Sequence, residues 1–359
     1  MSNKKEKIVS FESINRKEYI VDTVTGIMVA GILICVLRGA THFIIQWICD
    51  VLCGDGWQFY ARTLCSALVS ALSLSLPVFI YGLAVDSKLK TVFAKKSSVP
   101  VAQKALFGAL GAAASVAAAL VFLKASFFAM DVASLSGYEF TVAVPDIGAT
   151  AVENAFYVIV YALVPALVCE PLYRGVIMNR LSKDSYLLAV IIPAVIFAAN
   201  HPTIPQIPYM LAVGVVLGWT YLKTEDIRIS ILIHALTNAV IAYLYVKAGS
   251  VEAFTLDEIS GVFLVGLILI FAGVMVIFAF SRLRHPEQES KPFSIKESLR
   301  GLFGTFGIYV LIIVVMFQLG AWHIDNPTFE IKGSEENKGH SQTQQYDEDE
   351  TSEQDNINE

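Results

Sequence analysis

The chain has 359 residues, of which 55% are hydrophobic and 16% charged, whereas a soluble domain carries about 25% charged residues. Its mean hydropathy is +0.60 and its net charge −6, with the acid gathered in the last stretch. No basic face and no nucleic-acid motif is present, so nothing points to a nucleic-acid partner, and the long apolar blocks point to lipid as the solvent.

Residues 1–21 are polar and lack the apolar core and Ala-x-Ala site of a cleaved signal peptide. A spanning helix needs about 20 apolar residues. Nine segments are read as spans: roughly 22–47, 63–84, 105–130, 153–178, 186–201, 207–222, 229–247, 259–281 and 302–321. The expected fold is therefore an all-α polytopic membrane helix bundle of about eight to nine transmembrane helices. The fifth and sixth spans are short and joined by His201-Pro202-Thr203-Ile204-Pro205. That joint is either a tight hairpin or a backbone break at depth, which is tolerated only inside protein or beside a water cavity.

Lys and Arg crowd alternate loops. They occur in 1–21, in 88–104, at Arg180 and Lys183, at Lys223 and Arg228, and in 282–300. The intervening loops hold almost none, so the positive-inside rule puts the N-terminus in the cytoplasm and the C-terminus outside. Five organisational blocks follow: a cytoplasmic segment 1–21, N-terminal spans 22–148, a core 149–248, C-terminal spans 249–323 and a tail 324–359. The tail is rich in Glu, Asp, Gln, Asn and Ser and reads as disordered. The five cysteines form no C-x-x-C pair, which argues against a zinc ribbon or thioredoxin-like site. Cys49 and Cys53 are either an oxidisable pair or two small apolar residues at a helix end. Gly214 and Gly218 form a G-x-x-x-G packing surface.

Polar side chains inside spans are costly and need partners or a task. Glu170 and Arg174 lie four apart on one face of the fourth span, with Pro171 between them to disturb the helix. His201 ends the fifth span. His234 and Asn238 lie four apart on the seventh. Each could be a structural residue alone, but gathering all five would satisfy them together.

Glu170-x-x-x-Arg174-Gly175, Phe197-x-x-x-His201 and His234-x-x-x-Asn238 resemble, in order and spacing, the three motifs of the CPBP family. These are CAAX-prenyl-protease and bacteriocin-processing intramembrane proteases, also called Abi or CAAX protease self-immunity proteins. The resemblance covers about residues 150–245. It implies an intramembrane endopeptidase of a bacterial cell membrane that hydrolyses a peptide or membrane-protein substrate, with Glu170 and Arg174 facing His201, and His234 with Asn238 opposite. The family pattern begins with two adjacent Glu residues, and the first is generally assigned to activate water. Here that position is Cys169.

Three readings remain open at Cys169. Glu170 and His201 activate water; Cys169 is itself a nucleophile; or the chain no longer cuts and acts as a membrane binding or immunity partner. In an active protein, His234 and Asn238 would donate to the oxyanion. Glu170, His201 and His234 could together hold zinc, although the His-Glu-x-x-His spacing is missing. A proton-coupled transporter is a further alternative, since such groups also build relays. His234 lies closer to the start of its helix than His201 does, so the fifth helix must start lower, tilt or bend near Pro193 for the two to meet.

Overall fold

The computed structural model describes residues 58–84, 97–134, 138–139, 147–182, 185–199, 201, 206–248, 260–281, 294–303 and 330–331, with a few isolated positions elsewhere. The expected first span, nearly all of the ninth, Cys49, Cys53, the joint 202–205 and most of the acidic tail lie outside the described residues.

Eight helices are described. They are α1 (Gln58–Ala84), α2 (Val101–Ser134), α3 (Ala151–Leu172), α4 (Tyr186–Ala199), α5 (Gln206–Thr224), α6 (Ile227–Ala248), α7 (Gly261–Phe280) and α8 (Ile295–Phe303). α3 runs on through a π-helical stretch, Tyr173–Met178, and a last turn, Asn179–Leu181. Two residue pairs, Tyr138–Glu139 and Glu330–Ile331, form a short antiparallel ladder. Of the expected spans, the second to the eighth are helical, and α2 is longer than its apolar block implied. The short amphipathic α8 was not anticipated; its Ser294–Glu297 capping box marks its start.

The chain is an integral membrane protein. Val101–Ala129, Ala151–Leu181, Ile227–Ala248 and Gly261–Phe280 are each long and apolar enough to cross a bilayer. Large apolar side chains such as Leu232, Val262 and Phe280 are left exposed, as suits a surface solvated by lipid. In water such faces would mark an interface.

The bundle is organised around α5, which packs on α2, α4 and α6, while α3 packs on α6 and α1. Small residues permit this. A Cβ on Gly214 would stand 3.0 Å from both Ala194 Cα and Cβ, and one on Gly218 would stand 3.1 Å from a methyl of Val190. The G-x-x-x-G pair therefore faces α4, and it lets two backbones meet where hydrophobic driving force is weak. Ser115 and Thr237 share a buried hydrogen bond of 2.8 Å between α2 and α6.

The two-residue corner between α5 and α6 is clamped to the start of α2. Glu225 adopts a positive φ of 50°, a costly conformation for a residue with a Cβ. Ser98 donates to its carboxylate through both its N–H and its hydroxyl, and Ser97 Oγ donates to Thr224 O at 2.8 Å. Asp226 pairs with Lys104 at 3.2 Å and Arg228 at 2.9 Å. Lys223 is buried beside this corner and donates to Ser281 O at the end of α7, with its ammonium 5.9 Å from the centroids of both Phe107 and Trp219.

Two outcomes are expected. Gly214→Ala should force α4 and α5 apart and cost about 1–3 kcal/mol, read as a lower unfolding midpoint of the detergent-solubilised protein. The hydrogen bonds from Arg228, and secondarily Lys104, hold the Asp226 carboxyl down to about 2. Its folded value is below the unfolded value of about 3.9, so its contribution is full above that range and lost as pH falls through the folded value. Asp226→Asn should therefore lower stability by ~1 kcal/mol at neutral pH, with the difference from the native chain closing only in strong acid.

Candidate functional site

The site is set by a disturbance in α3. Pro171 has no N–H to give to the carbonyl four residues back. Two residues later the turn widens into the π stretch Tyr173–Met178, a form that often marks functional sites. Asn179 Nδ2 donates to Gly175 O inside this stretch at 2.8 Å, and Tyr221 OH on α5 donates to Asn179 Oδ1 at 3.0 Å. The π turn is thus tied to the neighbouring helix.

Glu170 is 1% exposed and both of its oxygens are occupied. Oε1 accepts from His234 Nδ1 at 2.8 Å, and Oε2 lies 3.2 Å from Arg174 Nε. That second contact is an ion pair without hydrogen-bond alignment. Arg174, also 1% exposed, uses Nη2 to donate to Gly214 O at 3.3 Å. One carboxylate therefore joins α3 to α6, and its counter-ion joins α3 to α5. With a carboxylate as the acceptor, the neutral imidazole that fits this bond carries its proton on Nδ1 and presents a lone pair on Nε2.

His201 is arranged separately. Its Nδ1 donates to Phe197 O at 2.9 Å, one turn back on α4. The Phe197 ring makes edge contacts with both imidazoles, at centroid distances of 4.8 Å to His201 and 5.6 Å to His234. Glu170 thus bonds His234 directly, and the Phe197 ring contacts both imidazoles.

Asn238 is one turn beyond His234 and donates through Nδ2 to Tyr161 O at 3.3 Å. Cys169 is a free thiol with no exposed surface, packed in the main apolar core with Ala166 and Tyr173. Among the described residues it has no hydrogen-bond partner, and a thiol in such surroundings is inert. The set Glu170, His201 and His234 does not fit zinc as arranged. Both Glu170 oxygens are already engaged, and among the described residues no three His, Cys, Asp or Glu side chains are grouped to hold a metal ion.

Phe197, Asn179, Tyr221 and the Gly214 carbonyl were not singled out as supports by the sequence. Phe197 stood inside a quoted motif, but a backbone acceptor leaves no residue-type signal.

Fold and site define an integral membrane helix bundle with a buried Arg–Glu–His network across three helices. Residues 151–240, which hold α3 to the His234–Asn238 turn of α6, match the family described as Type II CAAX prenyl endopeptidase Rce1-like. The matched segment holds Glu170, Arg174, His201, His234 and Asn238. No curated protein and no solved structure matches the chain.

Removing one partner of a buried ion pair strands the other. Glu170→Leu should cost about 3–5 kcal/mol, whereas Glu170→Leu with Arg174→Leu should recover most of that loss. A double-mutant cycle of unfolding midpoints in detergent measures the coupling.

Proposed function

We propose that the chain is an intramembrane endopeptidase in which His234, not a carboxylate, is the general base. The observation that carries this is the 2.8 Å bond from His234 Nδ1 to Glu170, itself paired with Arg174. Glu170 is engaged on both sides and is suited to orient the imidazole and offset its charge once protonated. In the reaction, a water oxygen attacks the scissile carbonyl carbon and its proton passes to His234 Nε2. The same proton then moves to the leaving amine as the C–N bond breaks. Asn238 keeps a second amide N–H with which to stabilise the oxyanion.

The family description suggests a prenylated C-terminal peptide as substrate, and the loop charges suggest that the N-terminus faces the cytoplasm. The compact Glu170–His234–Arg174 contact supports hydrolysis over a proton relay, which needs groups spread along a path. Cys169 favours a second reading, a non-cutting membrane partner, because it stands where the family carries its water-activating Glu.

The test is full-length protein in proteoliposomes with an internally quenched farnesylated CAAX peptide. The native chain should release fluorescence, and His234→Ala or Glu170→Gln should lower kcat by about 10²–10⁴-fold. Equal rates in the native chain and His234→Ala would overturn the reading. A large gain in Cys169→Glu over an idle native chain would favour the non-cutting reading.

A further inference from the structure

The short helix α8 presents a surface apart from the Arg–Glu–His network. It reads Ile-Lys-Glu-Ser-Leu-Arg-Gly-Leu-Phe, with apolar residues at positions 295, 299, 302 and 303, the recurrence of one apolar helix face. Ser294, Lys296, Glu297, Leu299, Arg300 and Phe303 are all exposed, Leu299 at 41% and Phe303 at 58%. α8 packs against α4.

The charges on α8 are arranged unequally. Lys296 and Arg300 stand four apart, Lys296 three residues before Leu299 and Arg300 three residues before Phe303. At helical spacing the two basic residues therefore line one edge of the apolar face. Glu297 is placed away from that edge, and its carboxylate accepts from the N–H and the hydroxyl of Ser294, both at 2.8 Å.

Size and charge restrict where such a helix can lie. Its nine residues make about 14 Å, too short to cross a bilayer, and its exposed charges would be costly in hydrocarbon. Bulk water suits it no better, because Leu299 and Phe303 are left uncovered. α8 follows α7, whose terminal Ser281 meets Lys223 beside the Glu225–Asp226 corner. The connecting residues 282–293 carry Arg282, Arg284 and Lys291 against Glu287 and Glu289. Connection and helix thus bring an excess of base to the protein on leaving α7.

We infer that α8 lies in the headgroup layer of the bilayer, where Lys296 and Arg300 bind anionic phospholipid headgroups. Leu299 and Phe303 enter the upper acyl region, and the long basic side chains reach from the edge of that face to the phosphates. A zwitterionic surface would accept the apolar face but would offer the basic edge no net attraction, so the charge of the edge selects anionic lipid. Neither the Glu170 network nor a substrate takes part in this surface, which therefore stands apart from the hydrolysis reading.

The test is full-length protein in nanodiscs of phosphatidylcholine alone, or of phosphatidylcholine and phosphatidylglycerol in equal parts, with amide hydrogen exchange of residues 294–303 as the first readout. Exchange should be slower in the mixed discs, and the difference should shrink with added salt. The second readout is the Kd of fluorescent phosphatidylglycerol for the protein in zwitterionic micelles. Lys296→Gln and Arg300→Gln should each weaken it about 5-fold, and Phe303→Ser should weaken it and restore fast exchange in the mixed discs. All three positions are exposed, so the unfolding midpoint in micelles should stay level. Equal exchange in the two kinds of disc, or native Kd in the variant carrying both Lys296→Gln and Arg300→Gln, would overturn the inference. Protection that follows the number of chains per disc rather than the lipid charge would also overturn it, by assigning the face to a second copy of this chain.

Discussion

A single carboxylate shared by a guanidinium and an imidazole holds the core together. Glu170 is buried inside an apolar helix, where charge is costly, and Arg174 and His234 reach it from different directions. Arg174 in turn needs an acceptor for its far nitrogen, and it finds one in Gly214 O. That contact fixes where α5 must lie. Gly214 has no side chain because Ala194 of α4 occupies the space. The charge network and the small-residue packing are thus one constraint: moving α4 or α5 outward would strand the guanidinium.

The π turn after Pro171 belongs to the same constraint. A regular helix would carry Arg174 around with its own register. Widening the turn changes that register just beyond Glu170, and Asn179 and Tyr221 hold the widened backbone in place. At the charged end, the Ser97–Ser98–Lys104 clamp on Glu225 and Asp226 sets the corner from which α6 rises. His234 is only two turns from that corner, so its height depends on where the corner is pinned.

The bundle and most of the site were legible because lipid makes the sequence code simple. Apolar blocks become helices, and a Glu and an Arg four apart inside one must pair. That Glu170 bonds His234 was not legible, because Glu170, His201 and His234 have the same spacing signal whichever pair bonds. Gly214 was read correctly as a packing residue, but its role as acceptor for Arg174 belongs to a carbonyl that every residue possesses.

Cys169 acquires a more definite meaning from this arrangement. A second carboxylate beside Glu170 would enter an apolar core already holding one negative charge, and the two could not both ionise there without further cations. With a thiol at that position the core stays neutral, and the full charge of Arg174 is available to Glu170. The thiol leaves Glu170 as the one carboxylate of the motif, with its two oxygens turned to His234 and Arg174. A carboxylate engaged on both sides is suited to orient its partners. Under the proposed reaction the thiol at Cys169 and the Glu170–His234 bond belong together: the imidazole takes the proton that the family pattern assigns to its first Glu.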